Sequence, residues 1–521
     1  MSTLAALRAL HTTIGAALAD IESVYSSRAL DYPALSAPYY HQLSVDVASS
    51  AAPAPAPGQT AAEELTIDPA VVRASNLIVA ACGQLAANVH HPFFTILEGV
   101  HYGHITSALG FLEASHTVEI LRDAGPQGLH AKDIARQIEE IHLGKDAPSR
   151  ADVDHLDPAH LIHVLRLLAT HHMLQEVAPN VFANNRFSSS LDSGKTLEQL
   201  RTTPEKKYDG TNGGGAYVGF ATKEMFRSVT YLTEWLLPSA KTSKPKAATP
   251  FGVAFDTDNF YEFMERPENA YRLTQFTRSM TGARATQGEK TIATQSALKW
   301  ESLPKDAVVV DVGGGIGAVS VQIAESHPHL RFVVQDRAPT VAMAPTLWGD
   351  AHKDLFESGR VSLQAQDFFQ PQPEALDVPG IGRVAHPAAY VTARVMHNWP
   401  DAQCQHILKN LRAAAGPETK LIMNEVILPL ACDDSATTSS GSEEGLRLPP
   451  LVPMDSAILP NMGNATLSAY LMDISMMTVL NAKERTLEEF KALALSAGWK
   501  VVSVDRCSPP VPWGFIVAVP V

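Results

Sequence analysis

"VVVDVGGGIGAVSVQIAESHPHLRFVVQD", residues 308–336, is the stretch from which the fold can be read. The apolar run at 308–310 ends in Asp311 and passes into Gly313, Gly314 and Gly315; a helical pattern follows, and a second apolar run at 332–334 ends in Asp336. Strand, glycine turn, helix and strand in that order open an α/β domain with a parallel sheet. The spacing Gly313-x-Gly315-x-x-Ala318 fits the G-x-G-x-x-G/A turn of dinucleotide-binding folds, and Asp336 lies near the ribose-binding distance after it. On the glycines alone, a nicotinamide dinucleotide remains one answer.

Asp311 argues for another. It stands two residues before Gly313, at the carboxyl end of the first strand, where a pyrophosphate would approach the helix N-terminus. A carboxylate there repels phosphate and attracts a cation, and S-adenosylmethionine carries an ammonium and a sulfonium with no phosphate. Asp336 then suits the two ribose hydroxyls. In "VSLQAQDFF" (361–369) a third strand-like run leads to Asp367, which can accept from an adenine amino group, and Phe368, which can cover the ring. Acids at three successive strand ends are a more specific set than the glycines.

Outward from this core the chain is ordinary for a globular protein, with 521 residues, 45% hydrophobic and 18% charged. The formal net charge of −14 disfavours nucleic acid and anionic membrane as partners. No apolar run reaches the roughly 18 uncharged residues of a membrane helix, and the N-terminus shows no signal-peptide pattern, so a cytoplasmic protein is expected. Cys82, Cys404, Cys432 and Cys507 form no C-x-x-C pair and read as free thiols. The histidine-rich "NVHHPFF", "HYGH" and "THHM" contain no H-E-x-x-H, so no metal site is expected.

The linear partition expected is a helical segment at 1–48, an Ala/Pro linker at 49–64 that decouples it, and a winged-helix-like domain at 65–205. A helical connector (206–300) and the α/β domain (301–521) follow, the latter interrupted by a polar, flexible insertion at 431–464. "GLHAKDIARQIEE", "DPAHLIHVLRLLATHHMLQEV" and "NVFANNRFSSSL" read as helix, helix and two short strands. Glu113 to Glu176 holds six Lys or Arg against eleven Asp or Glu, the wrong balance for a DNA-reading helix. The glycine-rich "KKYDGTNGGGAYVG" (206–219) follows no strand and lacks G-K-[ST]; it reads as a flexible loop rather than a phosphate loop.

"YVTARVMHNWPDAQCQHILKNLRAAAGPETKLIMNEVILP" (390–429) and "YLMDISMMTVLNAKERTLEEFKALALSAGW" (470–499) resemble the plant-type and fungal small-molecule O-methyltransferases that use S-adenosylmethionine, as do "TPFGVAF" and "YRLTQFTRSM" upstream. The resemblance runs from about residue 75 to 521. It implies a Rossmann-like class I methyltransferase domain and a winged-helix-like N-terminal domain that makes a homodimer. It further implies that His397 is the catalytic base, held by Glu425 and Glu484. Asp311, Gly313, Gly315, Asp336, Asp367, Phe368, Arg394 and Trp399 would lie on the cofactor, with Phe276, Met280 and Met476 lining the acceptor pocket. The chain departs from the family in Asn398, where Asp usually follows the histidine, and in Ala393, where a basic residue is frequent and Arg394 comes one step later. A hydroxylated aromatic is the expected substrate. A dinucleotide-dependent oxidoreductase and a non-catalytic winged-helix relative are the competing readings.

Overall fold

Seven strands carry the α/β part: β1 (Val308–Val312), β2 (Arg331–Asp336), β3 (Val361–Ala365), β4 (Ala389–Ala393), β5 (Lys420–Val426), β6 (Trp499–Arg506) and β7 (Trp513–Pro520). They form one sheet in the order β6-β7-β5-β4-β1-β2-β3. The run β5-β4-β1-β2-β3 is parallel, and β7 is antiparallel to both of its neighbours. Every residue of β1 is buried, as a parallel strand covered on both faces requires. Val308, Val310 and Val312 face a core with Ile407, Leu408, Phe490 and Trp499, while Val309 faces the opposite core with Val321, Ile323 and Phe332. The order of connection reverses between β1 and β4, and ligands of open α/β sheets bind outside the carboxyl ends at such a point.

This protein is described from a computed structural model that covers all residues except 1, 41–50, 239–246, 286–297, 349–351, 434–445 and 508–512. It divides into two compact units, each built from separated stretches of chain: Met1–Ile21, Pro69–Asn88 and Glu289–Val521 in the first, Glu22–Asp68 and Val89–Gly288 in the second. The consecutive partition expected from the sequence is therefore not the one the packing makes.

In the first unit, helix Thr3–Ser26 supplies Leu10 and helix Pro69–Val89 supplies Ala80 and Ala81 to a core completed by Val452, Ile458 and Met462. By length and composition both helices could cross a membrane; in the structure each has a stripe packed in this core. The insertion expected to be flexible thus has a folded second half. Residues 434–445 lie outside the described residues, but Leu10 and Met462 are each 1% exposed. Asn461 Nδ2 donates to the Tyr470 hydroxyl at 2.9 Å, and that hydroxyl donates to the Pro429 carbonyl, which ties the insertion to the end of β5.

In the second unit, helices Thr117–Ala124, Ala131–Leu143 and Pro158–Thr170 bury Ile120, Leu121, Ile134, Leu165 and Leu168 around Phe182. A three-stranded antiparallel sheet, Leu129–His130 beside Val181–Ala183 beside Gln175–Ala178, lies among them. "RFSSSL" is not the second strand expected there. Asn185 accepts from the backbone of Phe187 and Ser188 and caps a short helix, Arg186–Ser189, instead. The latter part of the Ala/Pro linker is also ordered: it contains helix Gln59–Glu64, and Glu63 makes a paired ion bridge to Arg186 at 2.7 and 2.6 Å. Nor is 206–219 a flexible loop. Lys207 and the Tyr208 hydroxyl both donate to buried Glu113 at 2.6 Å, and the glycines start helix Gly214–Phe220. A Cβ on Gly219 would lie 2.1 Å from Gln275 Nε2, so close helix packing is what demands glycine there.

Candidate active site

The parallel strands bring Asp311, the glycine turn, Asp336, Asp367, His397 and Glu425 to one edge of the first unit's sheet. Gly313 and Gly315 turn with φ of 67° and 64°, the left-handed region that glycine enters without cost. A Cβ on Gly313 would stand 2.9 Å from Val395 and 3.4 Å from Phe368. The amides of Gly313 and Gly314 donate to the Gln335 carbonyl (2.8 and 3.1 Å), and that of Gly315 donates to Asp336 Oδ2 (2.8 Å). Three successive N–H groups are thus engaged by the end of β2 and are not offered to a phosphate, which weighs against the dinucleotide reading.

Asp311 is 1% exposed, accepts from the Ser320 hydroxyl at 2.8 Å and would meet a Cβ on Gly314 at 2.6 Å. Part of its capacity therefore serves the turn itself, a use the sequence does not reveal. Asp336 takes one amide on each oxygen, from Gly315 and Arg337, and each oxygen retains a second lone pair for a ribose hydroxyl. Asp367 is exposed, and its Oδ1 accepts from the Phe369 amide at 2.9 Å. Phe368, Phe369 and Trp399 meet edge to face, with centroids 4.8 to 5.9 Å apart. Arg394, placed by the resemblance on the adenine side, has its guanidinium 6.0 Å from the Trp513 ring centroid. A glycine turn whose three amides are engaged by the end of β2, acids at successive strand ends and an aromatic wall fit S-adenosylmethionine. Asp336→Ala is expected to weaken S-adenosylhomocysteine binding by about 1–3 kcal/mol through lost charge-assisted hydrogen bonds, as read by calorimetry.

Beyond β4 the chain leaves the sheet at Arg394, whose φ of 56° is a strained value for a side-chain-bearing residue. The turn lays the amides of Val395 and Met396 onto Glu425 Oε1 at 3.0 and 2.9 Å, and a single helical turn, Met396–Asn398, presents His397. His397 Nδ1 lies 2.8 Å from Glu484 Oε1; because a carboxylate only accepts, the neutral ring carries its proton on Nδ1, and Nε2 then has the lone pair that can accept a proton. The Glu484 amide is itself held by Asp473 Oδ1 at 2.8 Å. Glu425 and Glu484 are 0% and 3% exposed.

Burial pulls the His397 pKa down, but the hydrogen bond to Glu484 and the charges of Glu484 and Glu425 outweigh it and hold the imidazole above its usual value. Burial, with the Glu484 charge, pushes the Glu425 carboxyl up to about 7 against the opposing pull of His397 and the two amides. Both shifts have one sign in stability. Protons held by the folded cluster stabilise it at acid pH, and that contribution is lost as pH rises through the folded values. Ligand-capable atoms of His397, Glu425 and Glu484 lie within 4.8 Å of one another, the one such His/carboxylate group among the described residues. The cluster thus has the composition of a cation site, with the Nδ1 proton bridging two of its members.

Met476 is half-buried on helix Leu467–Leu480 of the first unit. Phe276 and Met280 lie on helix Ala270–Ala285 of the second, where Phe276 packs 5.2 Å from both Phe220 and Phe260. Core packing therefore accounts for part of the Phe276 surface. Sequence reading missed Asp473, Ser320 and Arg485; the last is visible only as the neighbour of Glu484.

The fold and site define a class I methyltransferase. Residues 251–443 match the O-methyltransferase domain family. An O-methyltransferase of Armillaria gallica is 36% identical over 465 residues, 88% of this chain and 91% of its own length. The 4-O-methyltransferase 1 of Phanerochaete chrysosporium is 32% identical over 96% of both chains. The solved structure of the LepI complex with SAM shares the fold, with a TM-score of 0.58 at 18% identity over 89% of this chain and 100% of that one. This chain belongs to the S-adenosylmethionine-dependent O-methyltransferase family.

Proposed function

We propose that the chain methylates a hydroxyl of a small phenolic compound of secondary metabolism, with His397 as general base. The observation that carries this reading is the 2.8 Å pair of His397 Nδ1 with buried Glu484 at the carboxyl edge of the sheet. When bound, S-adenosylmethionine supplies an electrophilic methyl on a sulfonium. The protein's part is to bring an acceptor oxygen in line, exclude water and remove the phenolic proton. A phenol is mostly protonated near neutral pH; neutral His397 takes its proton at Nε2, and Glu484 stabilises the imidazolium that forms. Incubation with labelled S-adenosylmethionine and a panel of phenols tests this, the expected product being a methyl ether. No turnover with any phenol, alongside turnover of a non-phenolic alcohol, would overturn the substrate class.

His397 must be neutral to act, so kcat/KM for a protonated phenol is expected to rise with pH through an apparent pKa above the ordinary imidazole value of 6.5. Glu484→Gln removes the charge that raises it and is expected to shift this limb to lower pH while reducing kcat. A limb that stays in place in the variant would show that Glu484 does not tune the base.

The same reading makes the chain a homodimer through its N-terminal domain. Phe93, Phe94, Ile96, Val100 and Tyr102 on helix Pro92–Ala114 are each more than half exposed, a cluster of apolar groups suited to a second copy. Sedimentation at micromolar concentration is expected to give a dimer and Val100→Asp to shift it toward monomer. A monomer throughout would contradict the assembly.

A further inference from the structure

Glu484 and Arg485 are neighbours in "AKERT" (482–486), and they grip the same short segment in different ways. Glu484 holds the His397 ring. Arg485 is 0% exposed and holds the backbone around it: Nη1 donates to the Met396 carbonyl at 2.8 Å and Nη2 to the Trp399 carbonyl at 2.9 Å. Nε and Nη2 also donate to Asp401 Oδ1 at 3.0 and 2.8 Å. Lys483 Nζ lies 3.1 Å from the other oxygen of Asp401. The segment so held is a single 3-10 turn, Met396–Asn398, entered through the left-handed Arg394. One such turn makes few hydrogen bonds of its own and has no intrinsic stability.

We infer that Arg485 is a positioning residue for the base: by fixing the carbonyls at 396 and 399, one on each side of His397, it determines where Nε2 stands relative to the acceptor oxygen. Its own backbone is anchored independently, since the Arg485 carbonyl accepts from the Leu428 amide at 2.9 Å just beyond β5. The frame that places the base therefore reaches the His397 turn from the sheet by two routes, Glu425 on the amides of Val395 and Met396 and Arg485 on the carbonyls of Met396 and Trp399. The side chain's planar fork matters. One guanidinium reaches three acceptors in fixed relative directions, which a lysine ammonium on a flexible stem does not reproduce. A displacement of about 1 Å in a reacting group can cost on the order of 100-fold in rate.

The inference rests on His397 being the base, so His397→Ala is the reference. Arg485→Lys and Asp401→Asn are compared with it on the best phenol of the panel and on a nitro-substituted analogue that is ionised near neutral pH. S-adenosylhomocysteine affinity is measured by calorimetry in each. Arg485→Lys is expected to bind S-adenosylhomocysteine within about threefold of the parent, keep KM within a similar factor and lose at least about tenfold in kcat on the protonated phenol. The loss is expected to shrink on the ionised analogue, which needs no base, and Asp401→Asn is expected to show the same split more weakly. Equal losses on both phenols, or unchanged kcat on the protonated one, would overturn the positioning role. Should Arg485→Lys not fold, Asp401→Asn decides by the same split. If His397→Ala retains turnover, the base reading falls and this inference with it; if His397→Ala loses turnover and neither other variant shows the split, the positioning role alone falls.

Discussion

His397→Ala is expected to reduce kcat on a protonated phenol by about 10²- to 10⁴-fold while S-adenosylhomocysteine still binds, because general-base assistance in the transition state is worth that much. The separation of the two effects follows from the geometry. The imidazole is tied to Glu484 through Nδ1, whereas the glycine turn and Asp336 are tied to each other at the end of β2. Raising the pH toward the phenol's own pKa, about 10, is expected to restore part of the rate, since an ionised acceptor no longer needs a base. Near-parental turnover at neutral pH would mean that the site works by proximity alone.

Leu10→Ala is expected to destabilise the first unit by about 2–5 kcal/mol, the range for truncating a buried leucine that leaves a cavity. Leu10 is 1% exposed against Ala80, Ala81, Val452, Ile458 and Met462. The linker composition leads one to expect that residues 1–60 can be deleted without loss of the fold. The packing predicts the reverse, because deletion uncovers that apolar cluster and loosens the stretch leading into helix Leu467–Leu480. Chemical denaturation followed by intrinsic fluorescence measures both variants; an unchanged midpoint for the two together would show that the helix contributes nothing to this unit.

The parts of the site that could be read from the chain are those whose neighbours in space follow a local rule. An apolar run that ends in an acid, followed by glycines, has one reading in a parallel sheet, and parallel strands place all such endings on one edge. Asp311, Asp336 and Asp367 are legible as endings of successive strands, and His397, named through the family resemblance, follows the end of β4 on the same edge. Asn185 shows where the local rule misleads. "NVFANNRFSSSL" reads as two short strands, but an asparagine whose side chain accepts from two amides starts a helix in its second half. Arg485 shows a second limit. A buried arginine and an exposed one look alike in sequence, and only the carbonyls it reaches, 86 and 89 residues away, tell them apart.

The order of β1, the glycine turn and β2, and the acids at successive strand ends, are legible in the chain itself, whereas His397, Glu425 and Glu484 enter through the family resemblance of 390–429 and 470–499. The first two rest on residues close in sequence, while the 2.8 Å meeting of His397 with Glu484, 87 residues apart, exists only in the folded chain. Only the folded chain shows that the 452–462 stretch is core, that Lys207 is buried on Glu113, that β7 runs antiparallel between β5 and β6, and that Arg485 bonds to the carbonyls on either side of His397. These are pairings between distant residues. Their energy comes from desolvating surfaces and charges that meet only when the chain is folded, and no local pattern records which surfaces those will be.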